Sequence, residues 1–306
     1  MNFDWPIRLK SASPAPDAPA KQRPMSMTRR AFLGTAGAAG LVVAADAATH
    51  GRHQLEITHK SFPIIDLPDS FVGFRIVQIS DIHFDEYTEP WYLERVVNEV
   101  NRLAPDLVLI TGDFVSHGPM PISYAWRKIG PCAEILSKIK AETYGILGNH
   151  DAVVGASHIV PVLKDYGITT LIDSYRAIER NGDTLWICGA DDAAHDHPDL
   201  NLTIPPFTDE DPVILLCHEP DYVDVVRKHP RFPYIDVMLS GHSHGGQVRL
   251  PLIGPLILPP LGQKYVEGLF HFDHLQLYVN RGIGAVGIPF RLNCPSEITE
   301  ITLRSA

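Results

Sequence analysis

Five short apolar runs in this chain each end in a cluster of Asp, Asn or His, and that pattern constrains the fold more than any other feature. Phe74–Ser80 runs into Asp81-Ile82-His83, Leu107–Ile110 into Thr111-Gly112-Asp113, and Thr143–Leu147 into Gly148-Asn149-His150-Asp151. Val213–Cys217 runs into His218-Glu219, and Val237–Ser240 into Gly241-His242-Ser243-His244. Apolar runs without strict alternation predict strands covered on both faces. Between them, Leu93, Val96, Val97 and Val100 share one helical face, predicting a helix over Trp91–Leu103 that Pro105 stops. Further helices are expected over Tyr124–Ile139 and Ile159–Tyr166, and the later chain is richer in short strands. The result is an α/β domain with a central sheet, in which the C-terminal strand ends are where sites form.

The clusters carry metal-ligand chemistry. Asp81 and His83 are two residues apart, so an extended segment turns both to one side, and His242 and His244 repeat the spacing. Asp113 is a lone carboxylate at a strand end, Asn149 offers a neutral oxygen and His218 a further nitrogen. Mixed nitrogen and oxygen donors without thiolate suit Zn, Mn, Fe, Co or Ni better than Ca or an iron–sulfur cluster. The other histidines, among them His53, His117 and His158, read as ordinary surface or satisfied residues. His195 and His197 lie in a polar loop that either borders the site or is simply solvated.

Residues 1–47 read as a separate N-terminal extension and the domain as 48–306. Thr28-Arg29-Arg30-Ala31-Phe32-Leu33 resembles a twin-arginine export signal, followed by a small-residue apolar run and an Ala45-Asp46-Ala47 cleavage site. That run reads as too short and too weakly apolar for a strong membrane span, and Met25 and Met27 offer alternative starts. The expected partners are therefore the twin-arginine translocation machinery and, at the outer face of the cytoplasmic membrane or in the periplasm, a peripheral membrane contact. The whole chain has a net charge of -10; residues 48–306 hold 20 basic and 33 acidic residues. An acidic domain of this kind is no general nucleic-acid binder. Cys132, Cys188, Cys217 and Cys294 form no C-x-x-C pair and are expected as buried free thiols.

The ordered blocks Asp81-x-His83, Gly112-Asp113, Gly148-Asn149-His150-Asp151, His218 and Gly241-His242-x-His244 resemble those of the calcineurin-like metallophosphoesterases. With the arginine pair, the Gly245-Gly246-Gln247 extension and the tail around Tyr278–Gly282 and Asn293–Glu297, the chain is similar to exported bacterial phosphodiesterases of broad specificity. The resemblance implies a four-layer α/β/β/α sandwich with two facing mixed β-sheets. It implies one metal on Asp81, His83 and His244, a second on Asn149, His218 and His242, and Asp113 bridging both. His150 would act on the transition state or leaving oxygen, and Asp151 would orient His150 by a carboxylate–imidazole contact. The implied reaction is hydrolysis of a phosphodiester by a metal-activated hydroxide attacking in line. Alternatives on the same metal core are a phosphomonoesterase and a UDP-2,3-diacylglucosamine-type pyrophosphate hydrolase; from another class, a non-catalytic metal-stabilised binding module.

Leu250–Leu261 follows the last cluster directly and has twelve residues with four prolines and no charge. Either it forms an apolar wall beside the site, suited to a lipid-linked or otherwise amphiphilic phosphoester, or it covers an edge of the core; the expected substrate is a small-molecule or lipid-linked phosphoester.

Overall fold

The computed structural model describes Met1 and residues 28–85, 87–206 and 211–306. Most of the irregular N-terminal stretch, with Met25 and Met27, lies outside the described residues. Two compact units are present, Met1–Val42 and Val43–Ala306. Helix α1 (Arg29–Thr49) contains the segment expected to be a weakly apolar leader. By length and composition, Phe32–His53 is long and apolar enough to cross a membrane, a test that a signal sequence also passes. Ala47, in the expected cleavage motif, is buried, and its carbonyl accepts from the Arg291 N–H.

In the second unit the chain order begins β1 (Leu55–Ile64), β2 (Arg75–Ile79), α2 (Pro90–Leu103), β3 (Leu107–Thr111), α3 (Ile122–Leu136) and β4 (Glu142–Ile146). It continues α4 (Asn149–Val154), α5 (Ala156–Asp165), β5 (Thr169–Thr170), β6 (Ser174–Arg180), β7 (Asp183–Gly189), α6 (Leu200–Thr203), β8 (Val213–Leu216) and α7 (Val223–Val226). The last strands are β9 (Val237–Ser240), β10 (Arg249–Leu250), β11 (Gly254–Pro255), β12 (Gly268–Phe272), β13 (Leu275–Val279) and β14 (Ser296–Ser305). One six-stranded sheet has the order β1-β14-β2-β3-β4-β5 and the other β12-β13-β9-β8-β7-β6. Both are mixed: β14 runs antiparallel to β2 in the first, and β6 and β12 antiparallel to their neighbours in the second.

Alternation along the strands makes the layers. Leu107 and Leu109 point into a core shared with Ile214, Leu216, Val237 and Leu239, so the two sheets face each other. Val108 and Ile110 point the other way, against Leu93, Val96, Ile129 and Ala133 of α2 and α3. Val213 and Leu215 face Val223, Val226 and Ile204 on the outer side of the second sheet. That outer layer is thin, since α6 and α7 have four residues each. The architecture is the four-layer α/β fold with two mixed sheets. β2, β3 and β4 of one sheet and β8 and β9 of the other bring their C-terminal ends to one edge of the sandwich, which unites the five clusters.

Candidate metal centre

The ligand clusters leave their strands by abrupt turns. Asp81, His83, Asp113, His242 and His244 all have positive φ, between 46° and 69°. Non-glycine residues rarely adopt that region, and its concentration at one site marks backbone held in place by its surroundings. The loops lock one another: Asp81 N–H donates to the Gly112 carbonyl, His83 N–H to the Asp113 carbonyl, and Gly241 N–H to the His218 carbonyl. The His242 N–H donates to the Asp81 carboxylate at 2.9 Å, and the His150 N–H to Asp113 Oδ1 at 2.9 Å. Gly112, at φ 93°, leaves no room for a side chain, because a Cβ there would lie 2.6 Å from His218 Nδ1.

The donor atoms converge. Asp113 Oδ2 is 3.3 Å from His83 Nε2 and 3.2 Å from His218 Nε2. His244 Nε2 is 3.4 Å from Asp81 Oδ1 and 3.1 Å from His83 Nε2. His242 Nδ1 is 3.0 Å from Asn149 Oδ1. The seven expected ligands thus form two adjoining groups, of which Asp113, Asn149, His242 and His244 line the cavity, and Asp113 contacts His83 of one group and His218 of the other. Four groups of three, Asp81-His83-His244, Asp81-Asp113-His218, His83-Asp113-His150 and His218-Glu219-His242, each place their donor atoms within 4.8 Å of one another.

These residues fit divalent ions. His218 Nδ1 is 2.7 Å from the Thr111 carbonyl, which fixes its proton there, and its buried Nε2 makes no well-aligned hydrogen bond and faces Asp113 Oδ2 at 3.2 Å. His242 Nε2 is bound to the Pro260 carbonyl at 2.7 Å, which turns the unprotonated Nδ1 inward. His83 Nδ1 contacts Ser116 Oγ at 3.1 Å. An imidazole anchored through one nitrogen and bare at the other is the usual preparation for a metal. Burial pushes the pKa of His242 down to about 4 and that of His244 well below the ordinary value, so both are neutral donors. Burial works against the Asp113 carboxylate, but His218, His150 and His83 outweigh it and hold its pKa well below the usual range.

Two expectations change. Asp151 does not touch the His150 ring. Its buried carboxylate accepts instead from the backbone N–H groups of Phe114, Val115 and Gly148. Neighbouring positions at the start of α4 point about 100° apart, so Asp151 faces the Asp113 loop while His150 faces the cavity. The partner of His150 is His117, which the sequence placed among ordinary surface residues. The His117 N–H donates to His150 Nδ1 at 2.9 Å, and the two rings meet through their Nδ1 atoms at 3.0 Å. A His in Ser-His-Gly-Pro carries no signal that would have revealed this. His195 binds Asp192 Oδ2 from a half-exposed position and does not line the cavity.

The donor set opens on a cavity of about 320 Å³ whose opposite wall is Leu256, Ile257, Pro259, Val286 and Ile288. The uncharged segment thus forms the wall rather than a cover over the core. Gln247 fixes the Val286–Ile288 part of the wall, donating to the Val286 and Ile288 carbonyls and accepting from the Val286 N–H. All four cysteines are buried and free.

Residues 74–246 match the family model described as calcineurin-like phosphoesterase. The chain belongs to that family. It is accordingly a metallophosphoesterase, a hydrolase of phosphoester bonds, with ligand clusters for the dinuclear metal site typical of the family. Among relatives, it is 34% identical to the uncharacterized metallophosphoesterase YkuE of Bacillus subtilis, over 91% of this chain and 98% of that one. It is 31% identical to phosphodiesterase YaeI of Escherichia coli, over 77% of this chain and 84% of that one. A Danio rerio transmembrane protein with metallophosphoesterase domain is 32% identical over 82% of this chain and 58% of its own length.

Proposed function

We propose that this metallophosphoesterase is a phosphodiesterase that hydrolyses amphiphilic phosphodiesters outside the cytoplasm. The observation that carries the reading is the composition of the cavity. Its described lining residues include no Lys or Arg, while one side is a continuous apolar wall. A terminal phosphate dianion calls for cationic donors beyond the metals; a diester carries one charge and a second substituent that needs somewhere to lie. Leu256, Ile257, Pro259, Val286 and Ile288 offer that place to an apolar group such as a lipid chain. The name of the Escherichia coli relative, a phosphodiesterase, is consistent with this reading.

Asp81, His83 and His244 would hold one ion, Asn149, His218 and His242 the other, and Asp113 both, with Zn, Mn, Fe, Co and Ni all compatible with the donors. Two such ions, when bound, make hydroxide available near neutral pH and neutralise the phosphoryl oxygens. The remaining steps belong to side chains. His150 lines the cavity, and the His117 N–H on its Nδ1 leaves the proton on Nε2. Burial holds His150 at a pKa of about 3, so it acts as a neutral Nε2–H donor to the phosphoryl or leaving oxygen. The loop carrying Leu256 and Ile257 orients the apolar substituent and excludes water from that side.

Export rests on the Thr28-Arg29-Arg30-x-Phe32-Leu33 motif ahead of the apolar α1. A double Arg29→Lys, Arg30→Lys change should leave the protein in the cytoplasm.

Metal-loaded protein is expected to hydrolyse bis(p-nitrophenyl) phosphate at least roughly tenfold better in kcat/KM than p-nitrophenyl phosphate, and to lose both activities on chelation. His150→Ala should keep its metals and lose rate. Preference for the monoester, or turnover that survives chelation, refutes the reading.

A further inference from the structure

We propose that the rim of the catalytic cavity is a docking surface for a lipid bilayer. It is built from three loops, residues 117–123, 250–261 and 282–290. Gly287 lines both the catalytic cavity and a second hollow beside Pro119, Met120 and Pro121, so the three loops adjoin. Together they hold 28 residues without one Asp, Glu, Lys or Arg. The whole chain is 20% charged, so at that frequency about five or six charges would be expected. The nearest acid in the second hollow is Asp85, and its carboxylate is engaged by the Tyr87 and Thr88 N–H groups.

Large apolar side chains project from this rim. Leu252 is 108% exposed, Ile257 79% and Ile253 71%, and Met120 and Ile288 are also exposed. Leu252 and Ile253 form the tip of the β10–β11 hairpin, beyond the cavity itself.

The attached apolar α1 favours lipid over a protein partner, and part of the rim backbone already satisfies its own N–H groups. A protein surface can pair free N–H groups across an interface; a bilayer interior cannot, so a lipid-facing loop must satisfy its own. In 250–261, Pro251, Pro255, Pro259 and Pro260 have no N–H, the Ile253 N–H donates to the Leu250 carbonyl, and the Leu256 N–H to the Val248 carbonyl. In 282–290, the Ile283, Gly284, Ile288 and Phe290 N–H groups are taken by backbone carbonyls and that of Val286 by Gln247. An acidic chain gains nothing electrostatically from an anionic membrane, so adhesion must come from apolar insertion, and three loops without a carboxylate of their own lessen the local repulsion. The same chain carries α1, of membrane-crossing length; while that helix remains attached, the tether raises the domain's effective concentration at the bilayer.

The docking surface would place the apolar wall of the cavity level with the lipid chains, which deepens the amphiphilic-diester reading. Its test needs no turnover, so the two can fail separately. Full-length protein with Leu252→Cys carries an environment-sensitive fluorophore, the four native thiols being buried; Asn181→Cys, in the exposed β6–β7 turn, is the control. Vesicles of phosphatidylcholine and phosphatidylglycerol contain acyl-chain nitroxide lipid. The expected result is quenching at position 252 at least about threefold stronger than at 181. Equal quenching, or no association with the vesicles, overturns the proposal. Shielding at 252 that follows protein concentration in the absence of lipid also overturns it, in favour of a second copy of the chain. A Leu252→Ser, Ile253→Ser variant should keep its turnover of a soluble chromogenic diester and lose at least roughly fivefold on a vesicle-borne diester. Equal loss on both, or none on either, counts against the proposal.

Discussion

Replacing Asp151 with Asn tests whether this residue serves the ligand loops or the His150 ring. In the structure its carboxylate gathers three backbone donors, Phe114, Val115 and Gly148, at 3.0–3.3 Å. An amide has one accepting oxygen, so at least one buried N–H loses its partner and faces an NH2 group instead. An unsatisfied buried donor costs about 1–3 kcal/mol, and the surviving bonds lose their charge assistance. Burial, followed by the nearby Asp113, raises the pKa of Asp151 to about 7, so part of that assistance is already absent at neutral pH. The net expectation is a loss of about 2–3 kcal/mol, or roughly 4–6 °C in Tm for a unit of this size. Phe114 follows Asp113 and Gly148 precedes Asn149, so release of either N–H displaces a ligand; kcat should fall at least roughly tenfold. Thermal melting, metal content and turnover of one preparation provide the assay. Unchanged Tm and metal content with a selective fall in kcat would refute the reasoning and return Asp151 to the His150 ring.

His117→Ala removes the ring contact with His150 but leaves the main-chain donor; kcat should fall about three- to tenfold with metal content unchanged, as read by steady-state kinetics beside elemental analysis. Burial raises the pKa of Asp236 from 3.8 to about 6. Because the folded value exceeds the unfolded one, its contribution to stability is full below pH about 4 and lost as the pH rises through about 6. Asp236→Asn keeps an acceptor for the Val213 N–H, so the variant should match the parent near pH 4 and exceed it by about 2 kcal/mol near pH 7.5. Melting curves at the two pH values check this; a pH-independent gap contradicts it.

The five strand-end clusters were legible because each signal is local: an apolar run, then donors at fixed spacing. The helix over Pro90–Leu103 was legible for the same reason, its buried face being Leu93, Val96, Val97 and Val100. β1 was not. Only Phe62 and Ile64 of its ten residues are buried, and its partner β14 lies at the other end of the chain. An edge strand half turned to solvent leaves neither a continuous run nor a strict alternation to read. β12, the edge of the other sheet, escaped in the same way. The positive φ angles of five ligands and the pairing of His117 with His150 depend on how separate loops lock together, which no single segment encodes. The apolar wall was visible as composition, but only the path of the chain after the β10–β11 hairpin, which sets Leu256, Ile257 and Pro259 on the cavity, decides between wall and core cover.

Asp113, whose Oδ2 lies 3.3 Å from His83 Nε2 and 3.2 Å from His218 Nε2, would hold both ions of the proposed dinuclear site. Metal stoichiometry of the parent and of Asp113→Asn tests it most directly. The account predicts about two ions per chain in the parent and at most about one in a variant that still folds. A parent that binds a single ion, or a variant that retains both, would contradict it.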